Sequence, residues 1–307
     1  MNIALICTDS SGSSTTLSEC VRFSLVCERY VPDARLDLTV RAGQLANLPV
    51  DTVLQIDGRQ AFRGWVLSAQ NIRENGMDLL RLHARGYPAL LLRNQLTPGV
   101  HYDVTLQSLL EAYPLPHISY QDVPETINYV YVKEHTALWD AVIAYNYKRS
   151  RGYPFVRMTG MVCVRTPDDQ RSISLDEKHI LSVRSGCDHS GMISRIEMAD
   201  IDGTYGTFVL DNPEALRRGI ISVRQMPFDR QFLHDPTDSL RLRIACGNRR
   251  MRSRTVRYLG WCGEDVCDTL SADGISGEIG RVVITGDAKG IATADTLYFD
   301  DFCNREG

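Results

Sequence analysis

The sequence of 307 residues has no apolar run that could cross a membrane as a helix, because no stretch approaches the roughly 18 apolar residues required. Its opening segment, MNIALICTDSSGSS, also lacks the basic start of a signal peptide, and its apolar run ends before the usual core of about 7–15 residues. We therefore expect a soluble protein, made in the cytoplasm, with no membrane anchor.

A strong charge of one sign is also absent. The formal net charge is −4 and the pI is near 6.0, which gives no general reason to expect binding to nucleic acid or to anionic lipid. The nine cysteines are odd in number and scattered through a chain that is long enough to build a core without disulfides. Cys262 and Cys267 have no second pair at zinc-ligand spacing, so we expect reduced cysteines and no metal.

Motifs for chemistry are scarce as well. The sequence contains no HExxH zinc motif and no glycine-rich phosphate loop. Cys187-Asp188-His189 contains a thiol and an imidazole, but a cysteine–histidine dyad is more often built from residues that are distant in sequence. Acidic pairs occur in polar, turn-like stretches: Asp168-Asp169, Asp176-Glu177 and Asp300-Asp301. We predict no enzyme, no catalytic residue and no cofactor; a cell-envelope hydrolase that uses a cysteine or carboxylate site remains the alternative.

Alternating apolar and polar residues dominate the first part of the chain. In RLDLTVR, Leu36, Leu38 and Val40 fall on one face of a strand. Asp57-Gly58 and Asn75-Gly76 are typical of tight hairpin turns, because they tolerate positive φ angles. Residues 1–92 are therefore predicted to form a first antiparallel β-barrel domain.

Helical spacing appears in the middle of the chain. It predicts one helix over Thr105–Tyr113, ended by Pro114, and a longer one over Thr136–Arg149. A strand hairpin is expected around Thr159-Gly160. Residues 93–185 are therefore predicted to form a small α+β domain.

Strand patterns return in residues 186–307, interrupted by a helix with start signals at Asp235-Pro236. Here Asp273-Gly274 is followed by Gly280 at the same separation at which Gly64 follows Asp57-Gly58. This repetition predicts a duplication, and with it a mainly β, α+β fold of two similar antiparallel β-barrels around the α+β insert. The barrel-corner and assembly candidates are Asp57, Gly58, Gly64, Trp65, Asp273, Gly274 and Gly280.

The densest basic segment is RLRIACGNRRMRSRTVR, residues 241–257. Guanidinium groups bind carboxylates and phosphates with two parallel hydrogen bonds, so this segment could contact an acidic partner surface, including another copy of the chain. The candidate contacts are Arg249, Arg250, Arg252 and Arg254. Nucleic-acid binding is a less favoured alternative, because the segment has no aromatic residue on which a base could stack. A solvated helix end is the third interpretation.

Four stretches occur in an order that resembles the baseplate hub proteins of contractile-tailed bacteriophages, related prophage tails and type VI secretion spikes. They are VLQIDGRQAFRGWV, TALWDAVIAYNYKRSRGYPFVRMTGMVCV, DSLRLRIACGNRRMRSRTVRYLGWCGEDV and GEIGRVVITGDAKGIATADTLYF. The resemblance covers most of the chain, and it rests on the shared order of short motifs.

The resemblance implies a structural role in the virion tail baseplate, assembled in the host cytoplasm. In this family three chains form a ring, and two barrels per chain give it near six-fold symmetry, so that it adapts a hexameric tail tube to a trimeric central spike. The implied partners are a second and third copy, the tail tube protein and the spike, with tape-measure and baseplate wedge proteins as further candidates. No spike-like or lysozyme-like segment is recognised, so we expect the spike to be a separate protein.

Overall fold

The computed structural model describes residues 2–17, 20–45, 47–175 and 179–299. Strands account for 48% of the residues and helices for 15%, so the chain is mainly β, as predicted. In the part of the chain that the structure describes, no helix is both long and apolar enough to cross a membrane.

The first part of the chain is a set of antiparallel strands joined by tight turns. The predicted hairpin after Asp51 is confirmed, since two strands flank Asp57-Gly58 and another pair flanks Asn75-Gly76. A short 3₁₀ helix, Tyr87–Leu92, follows. The strands are β1 (Ile3–Asp9), β2 (Ser14–Leu17), β3 (Cys20–Glu28), β4 (Val31–Arg41), β5 (Pro49–Ile56), β6 (Arg59–Glu74) and β7 (Met77–Gly86).

The middle of the chain mixes helices with short strands, as expected. Its elements are β8 (Gly99–Val104), α1 (Leu106–Leu110), β9 (Ser119–Tyr120), β10 (Ile127–Val132), α2 (Leu138–Ser150), β11 (Phe155–Val156), β12 (Met161–Cys163) and β13 (Ser172–Ser174). Both predicted helices are present. The first is shorter than predicted: Thr105 caps it, its side chain accepting from the Ser108 backbone N–H at 3.0 Å, and it ends at Leu110. The second ends in a left-handed residue, Arg151, whose φ is 58°.

Among its described residues, the last part of the chain contains eight strands and two helices, and α4 follows Pro236 as the sequence predicts. The short helix α3 was not predicted. The elements are β14 (Ile180–Gly186), β15 (Arg195–Met198), β16 (Phe208–Asp211), α3 (Pro213–Arg217), β17 (Val223–Met226), α4 (Thr237–Asn248), β18 (Ser253–Leu259), β19 (Thr269–Ala272), β20 (Ile275–Asp287) and β21 (Gly290–Tyr298). A one-turn 3₁₀ helix, Arg230–Phe232, precedes α4.

One long sheet joins the two ends of the chain. Its strand order is β2-β1-β5-β6-β7-β4-β3-β20-β21-β18-β14, with β19 on β20 and β13 on β19. Among the described residues no strand pair closes this path, so the prediction of two closed barrels is wrong. Alternation along a strand reports which face is buried, whereas closure requires terminal strands to pair, and here β3 pairs with β20 instead.

The hydrophobic core follows this sheet. A single cluster includes buried residues from both ends of the chain, such as Leu25, Leu82, Val256 and Ile284, each at most 1% exposed. The middle segment packs its own cluster around α2, with Leu138, Val142 and Tyr145 at its centre. The sheet is thus one continuous platform, and the helical segments pack beside it.

Candidate functional site: two matching sheet units and their junction

Two groups of five strands share one topology. The first unit is β3 to β7, with spatial order β3-β4-β7-β6-β5; the second unit is β14 and β18 to β21, with spatial order β14-β18-β21-β20-β19. Every neighbouring pair within both units is antiparallel. In chain order the strands therefore correspond one to one: β3 to β14, β4 to β18, β5 to β19, β6 to β20 and β7 to β21.

The predicted Asp-Gly turns occupy equivalent positions in the two units. Asp57 and Gly58 have φ angles of 49° and 77° between β5 and β6, and Asp273 and Gly274 have 52° and 72° between β19 and β20. Both turns are two-residue loops with two positive φ angles, the geometry that matches the twist of a hairpin. The Asp57 side chain also accepts from the Asn2 backbone N–H at 2.6 Å, which attaches β1 to the turn.

Irregularities in the ladders align the units residue by residue. Val21 is bulged out of the β3–β4 ladder and Leu181 out of the β14–β18 ladder, so they correspond. Leu67 is bulged in β6 opposite β7, and Gly280 is bulged in β20 opposite β21. Gly280 thus corresponds to Leu67 and not to Gly64. The two units share one strand order, but the equally spaced glycines Gly64 and Gly280 are not equivalent residues within it.

Gly64 and Gly280 are nevertheless both sites of close approach. A Cβ on Gly64 would lie 2.6 Å from the Phe62 ring and would overlap the Arg85 carbonyl group. A Cβ on Gly280 would overlap the Tyr298 ring. Each glycine therefore lets a neighbouring group pack onto a long strand, which is the reason for a glycine inside a strand.

Trp65 links the first unit to the start of the middle segment. Its ring lies 5.9 Å from that of Tyr87, in the 3₁₀ helix, and the Arg93 guanidinium lies 5.7 Å from the Trp65 ring centroid. Tyr87 in turn donates to the Asp51 carboxylate at 2.8 Å. The aromatic contact thus fixes the exit of the chain from the sheet, a packing role that the sequence could not specify.

The two units meet where β3 pairs with β20, over Arg22–Glu28 and Arg281–Asp287. Three of the paired side chains, Leu25, Val282 and Ile284, are fully buried there. At the end of the junction Arg29 donates to Glu278 at 2.6 Å, and its side chain is only 6% exposed. A buried apolar seam with a nearly buried ion pair makes this a fixed contact rather than a hinge.

Most arginines of the segment 241–257 contact other residues of the same chain. The Arg249 guanidinium lies 4.6 Å from the Tyr30 ring centroid, Arg250 pairs with Glu28, and Arg254 donates to Asp273 at 3.0 Å. The carbonyl group of Arg252 accepts from the Phe299 N–H at 3.2 Å. These contacts brace β3, β18 and the second Asp-Gly turn, and they give no support to nucleic-acid binding.

A buried ionic cluster was missed by the sequence analysis. Arg157, on the β11–β12 turn, donates from Nη1 to Asp268 at 3.0 Å, and its Nε lies 3.2 Å from a carboxylate oxygen of Asp265. Burial raises the pKa of Asp265 to about 6, although Arg157 opposes the rise. The segment GEDVCD, which places three acids within five residues, was the available signal; its partner more than 100 residues earlier was not visible.

Two further acids are buried behind this cluster. Glu264 accepts from the Tyr258 hydroxyl at 2.5 Å, and burial raises its pKa. Asp295 is fully buried, neither of its carboxyl oxygens has a hydrogen-bond partner among the described residues, and burial raises its pKa well above the ordinary value. Because Glu264 and Asp295 are buried, they are not exposed to a substrate in solution.

The candidate catalytic groups do not come together either. Asp168 and Asp169 are exposed on a loop, and Asp188 accepts from Ser190 at 2.6 Å. Asp176-Glu177 and Asp300-Asp301 lie outside the described residues. Within the described ranges, no group of three or more His, Cys, Asp or Glu side chains could hold a metal ion.

Comparison of the whole fold finds close matches among solved structures. A tail protein from Neisseria meningitidis MC58 matches with a TM-score of 0.71 and 12% identity, over 98% of this chain and 97% of that one. The 43 kDa tail protein of prophage MuSo2 from Shewanella oneidensis matches with a TM-score of 0.68 and 12% identity, over 97% of both chains.

A more distant match is an Escherichia coli component of the type VI secretion system, described as similar in structure to the T4 tail proteins gp27 and gp5. Its TM-score is 0.54 at 8% identity, over 92% of this chain and 74% of that one. Scans of protein-family models and of curated proteins return no match. The chain therefore has the fold of phage and prophage tail proteins, and the resemblance inferred from the sequence is confirmed.

Proposed function

We propose that this protein is a non-enzymatic baseplate hub of a phage or prophage tail. Three copies form a ring that adapts the hexameric tail tube to the trimeric central spike, and the ring is assembled in the host cytoplasm. Tail proteins that share the fold over nearly the whole chain support this role. One similar structure is described as a complex containing a VgrG protein, over 99% of this chain and 65% of that one, which favours a spike as a neighbour.

The correspondence between the two five-strand units is the observation that carries the proposal. A three-fold ring offers six similar docking surfaces only if each chain contributes two similar ones. The first unit falls in the proposed domain of residues 1–92. The second falls mainly in the proposed domain of residues 186–307, with β14 just before it. Of the described part of the proposed domain of residues 93–185, only β13 and β14 pair with the long sheet. The two Asp-Gly turns, at equivalent places, are the proposed docking positions toward a six-fold partner.

The solution mass tests this role. Light scattering should give three times the chain mass of 34.5 kDa for the purified protein, alone or with the spike protein encoded in the same tail region. The trimer should also retain the tail tube protein on a column, with tape-measure and wedge proteins as further candidates. A chain that stays monomeric both alone and with the spike would refute the ring.

A further inference from the structure

Two strand edges in the matched units have no partner within the described residues. Residues 66–74 of β6 pair with β7 on one side, whereas on the other side β5 reaches only as far as Trp65. The strand β14 pairs with β18 on one side and ends the sheet path. Leu67 and Leu181, at the starts of these edges, are 49% and 42% exposed. Unpaired edges of this kind accept another strand.

The junction inside the chain shows how the two edges fit each other. The strand equivalent to β14 is β3, and the strand equivalent to β6 is β20; these equivalents are paired antiparallel in the β3–β20 junction. The edges of β14 and β6 themselves lie at opposite ends of a run of six intervening strands, about 30 Å apart along the sheet at the usual strand spacing. They can therefore repeat the junction only between two copies.

We propose that β14 of one copy pairs antiparallel with residues 68–74 of β6 in a second copy, in the register of the β3–β20 junction. This inference rests on the proposed ring and identifies its contact between copies. The expected residue pairs follow when each residue of the β3–β20 junction is replaced by its equivalent, with Val21 aligned to Leu181 and Gly280 to Leu67. They are Glu74 opposite Ser182, Arg73 opposite Val183, Ile72 opposite Arg184, Asn71 opposite Ser185 and Gln70 opposite Gly186.

The side chains at the two edges suit this pairing. Within the chain, the Phe23 ring of β3 packs over Gly286 of β20. The equivalent pair in the proposed contact is Val183 of β14 and Arg73 of β6, so the larger side chain lies on β6 there. The Arg73 side chain is 76% exposed and can lay its aliphatic part over Val183. On the other face Arg184 comes diagonal to Glu74, an attractive pair across strands. Each copy presents both edges, so the contact repeats around a closed ring.

A disulfide designed from this register tests the proposal. The variant N71C/S185C, with the exposed Cys187 replaced by Ser, should form covalent trimers on mild oxidation and release monomers on reduction, because the two Cα atoms come within the 7 Å that a disulfide allows. The matched control N71C/R184C, also with C187S, places the second thiol on the opposite face and should stay unlinked. A bond within one chain would instead give a faster-migrating monomer.

Each outcome is decisive. A trimer by light scattering without covalent links in N71C/S185C would overturn the strand pairing and leave the proposed function standing. Equal cross-linking in the control would overturn the register, and a monomer would overturn both proposals. A second measurement needs no substitution: amide exchange of residues 68–74 and 182–186 should slow in the trimer relative to a diluted monomer, and unchanged exchange would contradict the pairing.

Discussion

Replacing Arg157 by Met should destabilise the protein strongly, because it removes the cation between two buried carboxylates. The side chains of Arg157, Asp265 and Asp268 are 6%, 8% and 0% exposed. Removing one member of a buried ion pair leaves an uncompensated charge, at a typical cost of about 3–5 kcal/mol. The guanidinium also joins the β11–β12 turn to the loop before β19, so the variant should loosen the contact between the middle segment and the second unit.

The loss of stability should depend on pH. The pKa of Asp265 is raised to about 6 from 3.8, so its contribution to stability is complete below pH 3.8 and is lost as the pH rises through about 6. Without Arg157, which lowers that pKa, the loss extends to higher pH. The variant should therefore differ from the native protein more at pH 8.5 than at pH 6, by about 1.4 kcal/mol for each unit that the pKa of Asp265 gains.

Urea unfolding at the two pH values would measure the effect, followed by tryptophan fluorescence, to which Trp261 contributes beside Trp65 and Trp139. The Trp261 indole donates to the Glu264 carbonyl group at 3.2 Å and reports on the same loop. The control is Arg165→Met, which removes only a surface pair with Asp168 at 4.0 Å and should change stability by less than about 1 kcal/mol. An equal loss at both pH values, or a loss as small as the control, would refute the role of Arg157.

Two further substitutions test the comparison of the sheet units. Gly280→Ala should lower the free energy of unfolding by about 1–3 kcal/mol, because the added methyl group overlaps the Tyr298 ring. In the control Gly277→Ala, on the same strand, the methyl group meets atoms only at 3.5 Å and should be tolerated. Similar unfolding midpoints for the two variants would contradict this. Asp295 corresponds to Leu82 of the first unit, so Asp295→Leu should raise the melting temperature. The increase should be larger at pH 8 than at pH 4, because the raised pKa of Asp295 means that ionisation of this buried carboxyl group opposes folding. Lower stability of this variant at both pH values would show that the carboxyl group is required.

Local features were predictable because neighbouring residues determine them. The Asp-Gly and Asn-Gly turns formed where the sequence placed them, since both residues of each turn have positive φ angles. The helices α2 and α4 also formed close to their predicted ends, where Lys148 and Arg149 lie in the last turn of α2 and Pro236 immediately precedes α4. The alternation of Leu36, Leu38 and Val40 correctly identified a buried strand face.

Long-range pairing could not be predicted in the same way. The correspondence between the two units is hard to see in the sequence, because β3 and β4 are joined by two residues, while β14 and β18 are separated by residues 187–252. That segment contains a small sheet and two helices. The strand β14 also lies before the expected boundary at residue 186, and its pairing with β18 places it in the second unit. Nothing in the sequence indicates that β3 pairs with β20, because the pairing of distant strands depends on the tertiary structure of the whole chain.

The buried acids escaped prediction for a related reason. A sequence of acids such as Glu264, Asp265 and Asp268 is typical of a solvated loop, and only the return of Arg157 from a distant hairpin makes burial possible. The burial of Asp295 was not predicted because it lies in an alternating strand, at the position that a leucine occupies in the matched strand of the first unit. Alternation of apolar and polar residues indicates which face of a strand is buried, but it does not identify a polar residue that occupies an apolar position on that face.

The two kinds of junction in the proposed ring differ in composition, and the difference suits their roles. Within the chain Leu25 faces Ile284 across a fully buried seam, whereas the proposed contact between copies places Ser185 opposite Asn71. An apolar seam must form as the chain folds, because leaving it open would expose the core. A polar edge tolerates water before it is paired, so a folded monomer can persist until it meets its neighbours. In the proposed ring, the two matching five-strand units supply the near six-fold symmetry, and the difference in composition between the two junctions separates folding from assembly.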